Sequence, residues 1–523
     1  MALSVTTLFG YGFGHVLNDL CSAMWFTYLL VFFHHVLQFN SQLAGIVLLI
    51  GQIADGLSTI FVGSQADRTD DTKFCMKYGR RKTWHLVGCI CVVCAFPFIF
   101  LGCIGCGSSS DVIQVIYFAP FVIIFQFGWA ATQISHLSLI PSITQDVNDR
   151  TVLNAIRYAF TVASNITVYL ITWLTLGFGG DRGDAPVGPN DAASFRLIMF
   201  IVVGIGFIFA ALFHFLVKEV NVVSYTNSPN SENCVSHKQM CWRDWFKEPQ
   251  FYQVAVLYMT TRLFCNLTQA YVPIYLQDSL HLPGESVAYI PLVMYVSGFI
   301  TAISMKPINK VLGRKVTYII GTLIGFGGCV WVWFGDGPLY INYLLYIVTA
   351  FIGSGGSTML VTSLSITADL IGPNVESGAF VYGAMSFTDK LSNGMVVMFI
   401  QSYAPCGDSE TVGPDCLPLI SQYYRNLLAL MCSGFAILGM LATLTLLHKD
   451  VGQRNQNSAT PDHTSIYSER TSYEQKVNDA GICFRAAGAT MTCCSPGIVN
   501  QQAAGSNPAM AHIGSPGEVQ RQA

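Results

Sequence analysis

The chain has 523 residues, of which 52% are hydrophobic and 11% charged, with a formal net charge of -3. A soluble domain carries about 25% charge, so this chain is too poor in charge to cover a water-facing surface, and nothing in its balance of charge points to nucleic acid. The apolar residues fall into runs such as 86–106, 197–217, 318–334 and 427–447, each long enough to cross a hydrocarbon core of about 30 Å at about 1.5 Å per residue.

Residues 1–10 lack the basic region of a cleaved signal peptide, so the stretch 10–34 reads as the first span. It carries His15, Asn18 and Asp19, with His15 and Asp19 four apart on one helix face. The second span, 41–63, carries Gln52, Asp55 and, one turn on, Thr59. Asp67-Arg68 closes it, and Gly79-Arg80-Arg81-Lys82 opens the third span, 84–104. Cys89, Cys91 and Cys94 there read as small apolar filler, with Cys103 and Cys106 at the far end. Span four, 112–140, adds Gln133 and His136; span five, 157–177, begins beside Asn154, Arg157 and Tyr158; span six is 195–217. The polar stretch 218–249 reads as a linker between two halves, 1–217 and 250–447.

Span seven, 250–276, carries Arg262, Asn266 and Gln269 along one stripe. Span eight, 286–304, is followed by Gly313-Arg314-Lys315, which echoes the basic motif after span two at the corresponding place. Two six-helix halves related by an axis along the membrane normal fit this repetition. Spans nine, ten, eleven and twelve are expected at 317–334, 341–368, 379–402 and 423–447. In span ten, Gly353-Ser354-Gly355-Gly356-Ser357 permits tight helix approach. Span eleven carries Asp389, Lys390 and Asn393. Cys406 and Cys416 share the next loop and form a candidate disulfide on the non-cytoplasmic side. The tail, 448–523, is rich in Ser, Asn, Gly and Gln and is expected to be disordered.

Of the 27 Lys and Arg residues, 22 lie in the loops 64–83, 141–157, 218–249 and 305–316 and in the tail. Basic residues stay cytoplasmic, so both termini are expected in the cytoplasm and the number of spans is expected to be even. The expected fold is an all-α membrane protein of twelve transmembrane helices.

A charge within the hydrocarbon costs at least about 2.5 kcal/mol and usually faces a cavity or a partner. The expectation is therefore that Asp19, Asp55 and Lys390 surround a central, water-filled cavity. Two neighbouring carboxylates resist joint ionisation, which suits them to taking up and releasing a proton, while a lysine from the other half pairs with them in one state only. The plainer alternative is a static buried ion pair, or snorkelling to a membrane face. Asp67 and Arg68, with Gly79, Arg80 and Arg81, read as a gate joining two helix ends by a guanidinium–carboxylate contact; the alternative is orientation charge alone. No nucleophile elbow, zinc-protease motif or acid pair in a soluble domain supports an enzyme, and no Cys/His spacing resembles a structural zinc site, so no cofactor or metal is expected.

Asp67-Arg68-Thr69 followed by Gly79-Arg80-Arg81-Lys82-Thr83-Trp84 resembles the signature of the glycoside–pentoside–hexuronide:cation symporter branch of the major facilitator superfamily, over about residues 10–448. Residues 15–21, 24–30 and 51–56 resemble one vertebrate member of that branch. The resemblance implies alternating access by two rocking halves. For the vertebrate member it implies cysteine import from the cytosol into lysosomes and melanosomes, with an influence on pigmentation; this chain is expected to work as a monomer within membrane lipid. In the branch, acids on helices one, two and four hold the coupling cation. Asp19 and Asp55 match two of those positions and Lys390 matches the helix-eleven lysine, while Thr59 replaces the second acid of helix two and span four has no acid in its middle. A proton, or no coupling ion, fits this set better than sodium. The alternative is a cation symporter or uniporter for another amino acid, a sugar or an organic anion.

Overall fold

The computed structural model describes residues 4–65, 78–106, 109–144, 147–177, 185–219, 242–372, 378–405, 416–447, 451–452, 484–487 and 490–493. Among them the helices of nine residues or more are α1 (Val5–Phe13), α2 (Val16–Val31), α3 (Ser41–Gln65), α4 (Arg80–Phe100), α5 (Asp111–Ser138), α6 (Val147–Gly177) and α7 (Ala192–Leu216). After the linker come α8 (Pro249–Ile274), α9 (Ser286–Leu312), α10 (Arg314–Phe334), α11 (Leu345–Ile371), α12 (Gly378–Ser402), α13 (Cys416–Asn426) and α14 (Ser433–Leu446). Short π-helical segments extend α2 and α8 and join α13 to α14.

Ten helical stretches among the described residues are long and apolar enough to cross a membrane. The first runs from Val5 to Val36 and takes in α1 and α2, so it begins earlier than expected. Large apolar side chains stay exposed on outer faces, as with Ile53, Leu57, Ile60 and Phe61 on α3. Such a surface suits lipid and would aggregate in water. The helices α8 and α12 are not among the ten, although they contain 26 and 25 residues.

Helix packing repeats along the chain. In the first group α5 packs on α3 and α4, α2 packs on α6 and α7, and α4 packs on α7. In the second group α11 packs on α9 and α10, α8 packs on α12 and α14, and α10 packs on α14. Among the described residues, helices of the two groups meet where α3 packs on α12, α6 on α9, and α2 on α8.

The duplicated basic motif has the same local form twice. Gly79 has φ +107° and Gly313 has φ +78°, each immediately before a helix. Only glycine adopts this backbone without strain. In the first copy, Lys82 donates from Nζ to the carbonyls of Val217 (2.7 Å) and His214 (3.1 Å). In the second, Lys315 donates to the carbonyl of Leu446 at 2.7 Å. Each lysine thus satisfies unpaired carbonyls where the last helix of its group ends.

The break between α1 and α2 falls at Gly14 and His15. A broken helix leaves carbonyls unpaired, and in lipid they need protein partners. Here His136 of α5 bonds the Tyr11 carbonyl at 2.7 Å and His85 of α4 bonds the Gly14 carbonyl at 2.8 Å, both through Nε2. In the tail, Phe484–Ala487 and Thr490–Cys493 pair as a two-stranded sheet, where the composition suggests no regular structure. Alternating β-branched threonines at positions 490 and 492 favour strand there.

Candidate functional site

The charged residues of α12 lie at the junction of the two helix groups. Gly394 faces Leu49 and Gln52 of α3, where an added Cβ would come within 2.9 Å and 3.0 Å of their side chains. Close approach of the two backbones lets short side chains meet across the junction. Lys390 Nζ lies 2.5 Å from Asp55 Oδ1, with side chains 11% and 1% exposed. Thr59 donates to Asp55 at 3.3 Å and accepts from Lys390 at 3.0 Å. The Lys390 ammonium also lies 5.2 Å from the centre of the Trp129 ring, within the range of a cation–π contact.

Asp389, the preceding residue, points about 100° away around the helix. Its carboxylate accepts from Arg262 Nε at 2.9 Å and from the Asn266 amide at 3.4 Å, both on α8. Two acids and two bases are therefore arranged as two neutral pairs, one across the junction and one within the second group. An unpaired charge at this depth would neutralise or move, because burial without a partner is too costly. A further link crosses between α2 and α8, where Gln269 donates to Thr27 at 3.2 Å and Thr27 shares a 2.9 Å bond with the Tyr169 hydroxyl. Gln52 and Asn393 are buried nearby.

Asp19 stands elsewhere. Its carboxylate lies 2.9 Å from His15 Nδ1 and accepts from Thr161 at 2.9 Å. Arg157 donates to His15 Nε2 at 3.0 Å. A guanidinium can only donate, so the His15 ring proton sits on Nδ1, facing Asp19. Asp19 and Asp55 make no contact with each other among the described residues. The sequence groups Asp19, Asp55 and Lys390 round one cavity; the structure brings Asp55 and Lys390 together and gives Asp19 its own cluster on α2 and α6. The reason is local, since His15 and Thr161 each meet one oxygen of the Asp19 carboxylate. Asn18 donates to the Trp129 carbonyl at 3.1 Å, so Trp129 touches both clusters.

Asp67 and Arg68 of the expected gate lie outside the described residues. Of its other members, Gly79 precedes α4, and the backbone amides of Arg81 and Lys82 donate to the Glu219 carboxylate at 3.4 Å and 3.1 Å. An acid at a helix N-terminus satisfies amides that lack helical partners. In the second group Arg314 pairs with Asp369, a contact that the sequence hinted at only through the repeated motif. At the opposite end of the bundle, His35 Nε2 lies 3.4 Å from Asp278 Oδ1, and Val187 N donates to Gln277 at 2.6 Å. These contacts join the two helix groups there. Sequence reasoning missed Trp129, Glu219, Asp369 and the His35–Asp278 pair, none of which carries a local motif.

Cys103 and Cys106 form a disulfide. Cys416 is disulfide-bonded, and its candidate partner Cys406 lies outside the described residues.

Residues 10–448 match the family model described as MFS/sugar transport protein. The human protein named major facilitator superfamily domain-containing protein 12 is 45% identical over 85% of this chain and 94% of its own length. The mouse protein of the same name is 44% identical over 87% of this chain and 96% of its own. Among solved structures, that of a D-xylose–proton symporter is similar with a TM-score of 0.58 at 14% identity, covering 86% of this chain and 96% of that one.

Proposed function

Because the chain belongs to the MFS/sugar transport protein family, we propose that this transporter of a small solute carries cysteine from the cytosol into the lumen of lysosomes and melanosomes. Transport proceeds by alternating access of two six-helix halves, with α8 and α12 completing twelve spans. The repeated packing pattern and the paired basic motifs support this arrangement. The distribution of Lys and Arg supports cytoplasmic termini. The resemblance drawn from residues 15–21, 24–30 and 51–56 supports the solute and the organelles, and the working unit is a monomer.

The observation that carries the proposal is the buried Asp55–Lys390 pair across the junction. A zwitterionic amino acid brings an ammonium for Asp55 and a carboxylate for Lys390. It can replace the pair without leaving a net charge in the membrane, which a neutral sugar cannot do. The Arg262–Asp389 pair, with Asn266 and Gln269 beside it, forms the other wall of the site. The His15–Asp19 cluster takes the coupling proton, since it holds an acid and a titratable ring in contact. The contacts of His35 with Asp278 and of Val187 with Gln277 support a closed lumenal end.

The test is uptake into reconstituted vesicles of labelled cysteine, with unlabelled cysteine, cysteamine and 3-mercaptopropionate as competitors. Cysteine should compete well; the two analogues, each lacking one charge, should compete at least tenfold worse. Collapsing the pH gradient should change the rate. No cysteine uptake above empty vesicles overturns the solute, and a wider panel then tests the alternative of a sugar or organic-anion symporter or uniporter. Equal competition by all three compounds overturns the pair-replacement mechanism while leaving transport intact.

A further inference from the structure

Three potential metal ligands converge at the end of the bundle where α4 begins and α7 ends. His85 and Cys89 stand one turn apart on α4 and share a face. His214 belongs to the last turn of α7. Their ligand atoms all lie within 4.8 Å of one another, though 125 residues separate Cys89 from His214 in the chain. No short sequence spacing reveals the group, and this is why the sequence suggests no metal.

Two of the three separations fit a tetrahedral ion, and the third, from Cys89 Sγ to His214, is within 4.8 Å. His85 Nδ1 and His214 Nε2 are 3.1 Å apart, and Cys89 Sγ is 3.5 Å from His85 Nδ1. With metal–nitrogen bonds of about 2.0–2.1 Å and metal–sulfur bonds of about 2.3 Å, a tetrahedral zinc site has N–N edges of roughly 3.3 Å and N–S edges of roughly 3.6 Å. Both of these edges fall within about 0.2 Å of those values.

The surroundings also prepare the nitrogens. His85 Nε2 bonds the Gly14 carbonyl at 2.8 Å. A carbonyl can only accept, so the proton sits on Nε2 and the Nδ1 lone pair faces the group. The Tyr78 hydroxyl holds His214 Nδ1 at 2.7 Å, leaving Nε2 turned inward. Outer partners of this kind orient histidine ligands in known metal centres. Without an ion, His214 Nε2–H can donate to His85 Nδ1, so the same geometry also permits a hydrogen-bonded pair. The neighbouring charges are Lys82, whose ammonium is turned onto the carbonyls of His214 and Val217, and Glu219, whose carboxylate offsets it. Imidazole with thiolate in tetrahedral spacing favours zinc among the biological divalent ions.

We propose that His85, Cys89 and His214 form a zinc site that staples α4 to α7 within the first helix group, with a fourth position left for water. None of its three residues lies at the junction of the groups, and His85 reaches the proposed proton cluster through the carbonyl of Gly14, beside His15.

The test uses full-length protein purified in detergent and stripped of metal. Titration with Co²⁺ should give one ion per chain, with a thiolate-to-cobalt charge-transfer band and the visible bands of tetrahedral cobalt, and Zn²⁺ should displace both. Cys89→Ala, a small change at a buried position, should remove the charge-transfer band and weaken binding at least tenfold. Zn²⁺ should raise the melting temperature of the wild type and not of this variant. Absence of Co²⁺ and Zn²⁺ binding by the wild type overturns the proposal. So does a band that persists in Cys89→Ala, which would place the metal on other cysteines. If Cys89→Ala misfolds, His214→Ala on the other helix should show the same loss of binding, and unchanged binding by it overturns the proposal.

Discussion

Replacing Lys390 by Ala leaves the Asp55 carboxylate with Thr59 as its remaining side-chain partner. The Asp55 side chain is 1% exposed, so water does not take the place of the lost ammonium. Deleting one partner of a buried ion pair costs about 3–5 kcal/mol, which is about two to three and a half orders of magnitude in an equilibrium at about 1.4 kcal/mol per decade. The cost falls only on states in which α3 and α12 meet at this level. Lys390→Ala should therefore depopulate the conformation described here, lower uptake in vesicles to less than a tenth, and lower the melting temperature in detergent. The double variant Asp55→Asn with Lys390→Met removes both charges. Neutral groups of similar volume often replace a buried pair without loss of stability, so the double variant should regain the melting temperature and still fail to transport. Wild-type uptake by Lys390→Ala would refute the reasoning outright. Full uptake by the double variant would show that the pair serves folding alone.

Arg262→Ala strands Asp389 with Asn266 as its remaining partner on α8 and should reduce uptake at least tenfold; unchanged uptake would remove the second pair from the site. Asp278→Asn weakens the contact with His35 and should speed labelling of Thr27→Cys by an impermeant thiol reagent from the lumenal side, and equal labelling would mean that this contact closes nothing. Gly355→Ala pushes a methyl group against the backbone of Gly325, with contacts of 2.5 Å to its Cα. It should destabilise the protein by more than about 1 kcal/mol, whereas Gly434→Ala, which meets nothing within 4 Å, should not; equal melting temperatures for the two variants would refute the close packing of α10 on α11.

The membrane character and the repeated basic motif were legible because each depends on composition or on residues adjacent in sequence. Glycine at positions 79 and 313 with lysine following shortly after is a local signal, and the structure gives both copies the same helix-end role. The partner of Asp389, Arg262 on α8, was not legible, whereas the sequence already set Lys390 beside Asp55. Adjacency in sequence alone would let Asp389 and Lys390 neutralise each other. Helix geometry instead turns them toward different neighbours, and the choice of neighbour depends on how α3, α8 and α12 pack. Asp19 illustrates the same limit. Its distance from Asp55 is decided by Thr161 and Arg157, residues more than a hundred positions away along the chain.

The two long helices that fall outside the ten apolar stretches, α8 and α12, are the ones that hold Arg262, Asn266 and Gln269, and Asp389, Lys390 and Asn393. That is the expected consequence of a polar interior. A helix facing lipid on one side and the site on the other must spend part of its length on residues that lipid disfavours, at about 2.5–3.5 kcal/mol for each charge on insertion. The bundle recovers this cost only when the helices are assembled, because each charge on α12 then finds an opposite charge on a different helix. Low apolarity in α8 and α12 therefore marks the helices whose charges are met by other helices, and in the first group Asp55, on a helix that remains apolar overall, supplies the partner of Lys390.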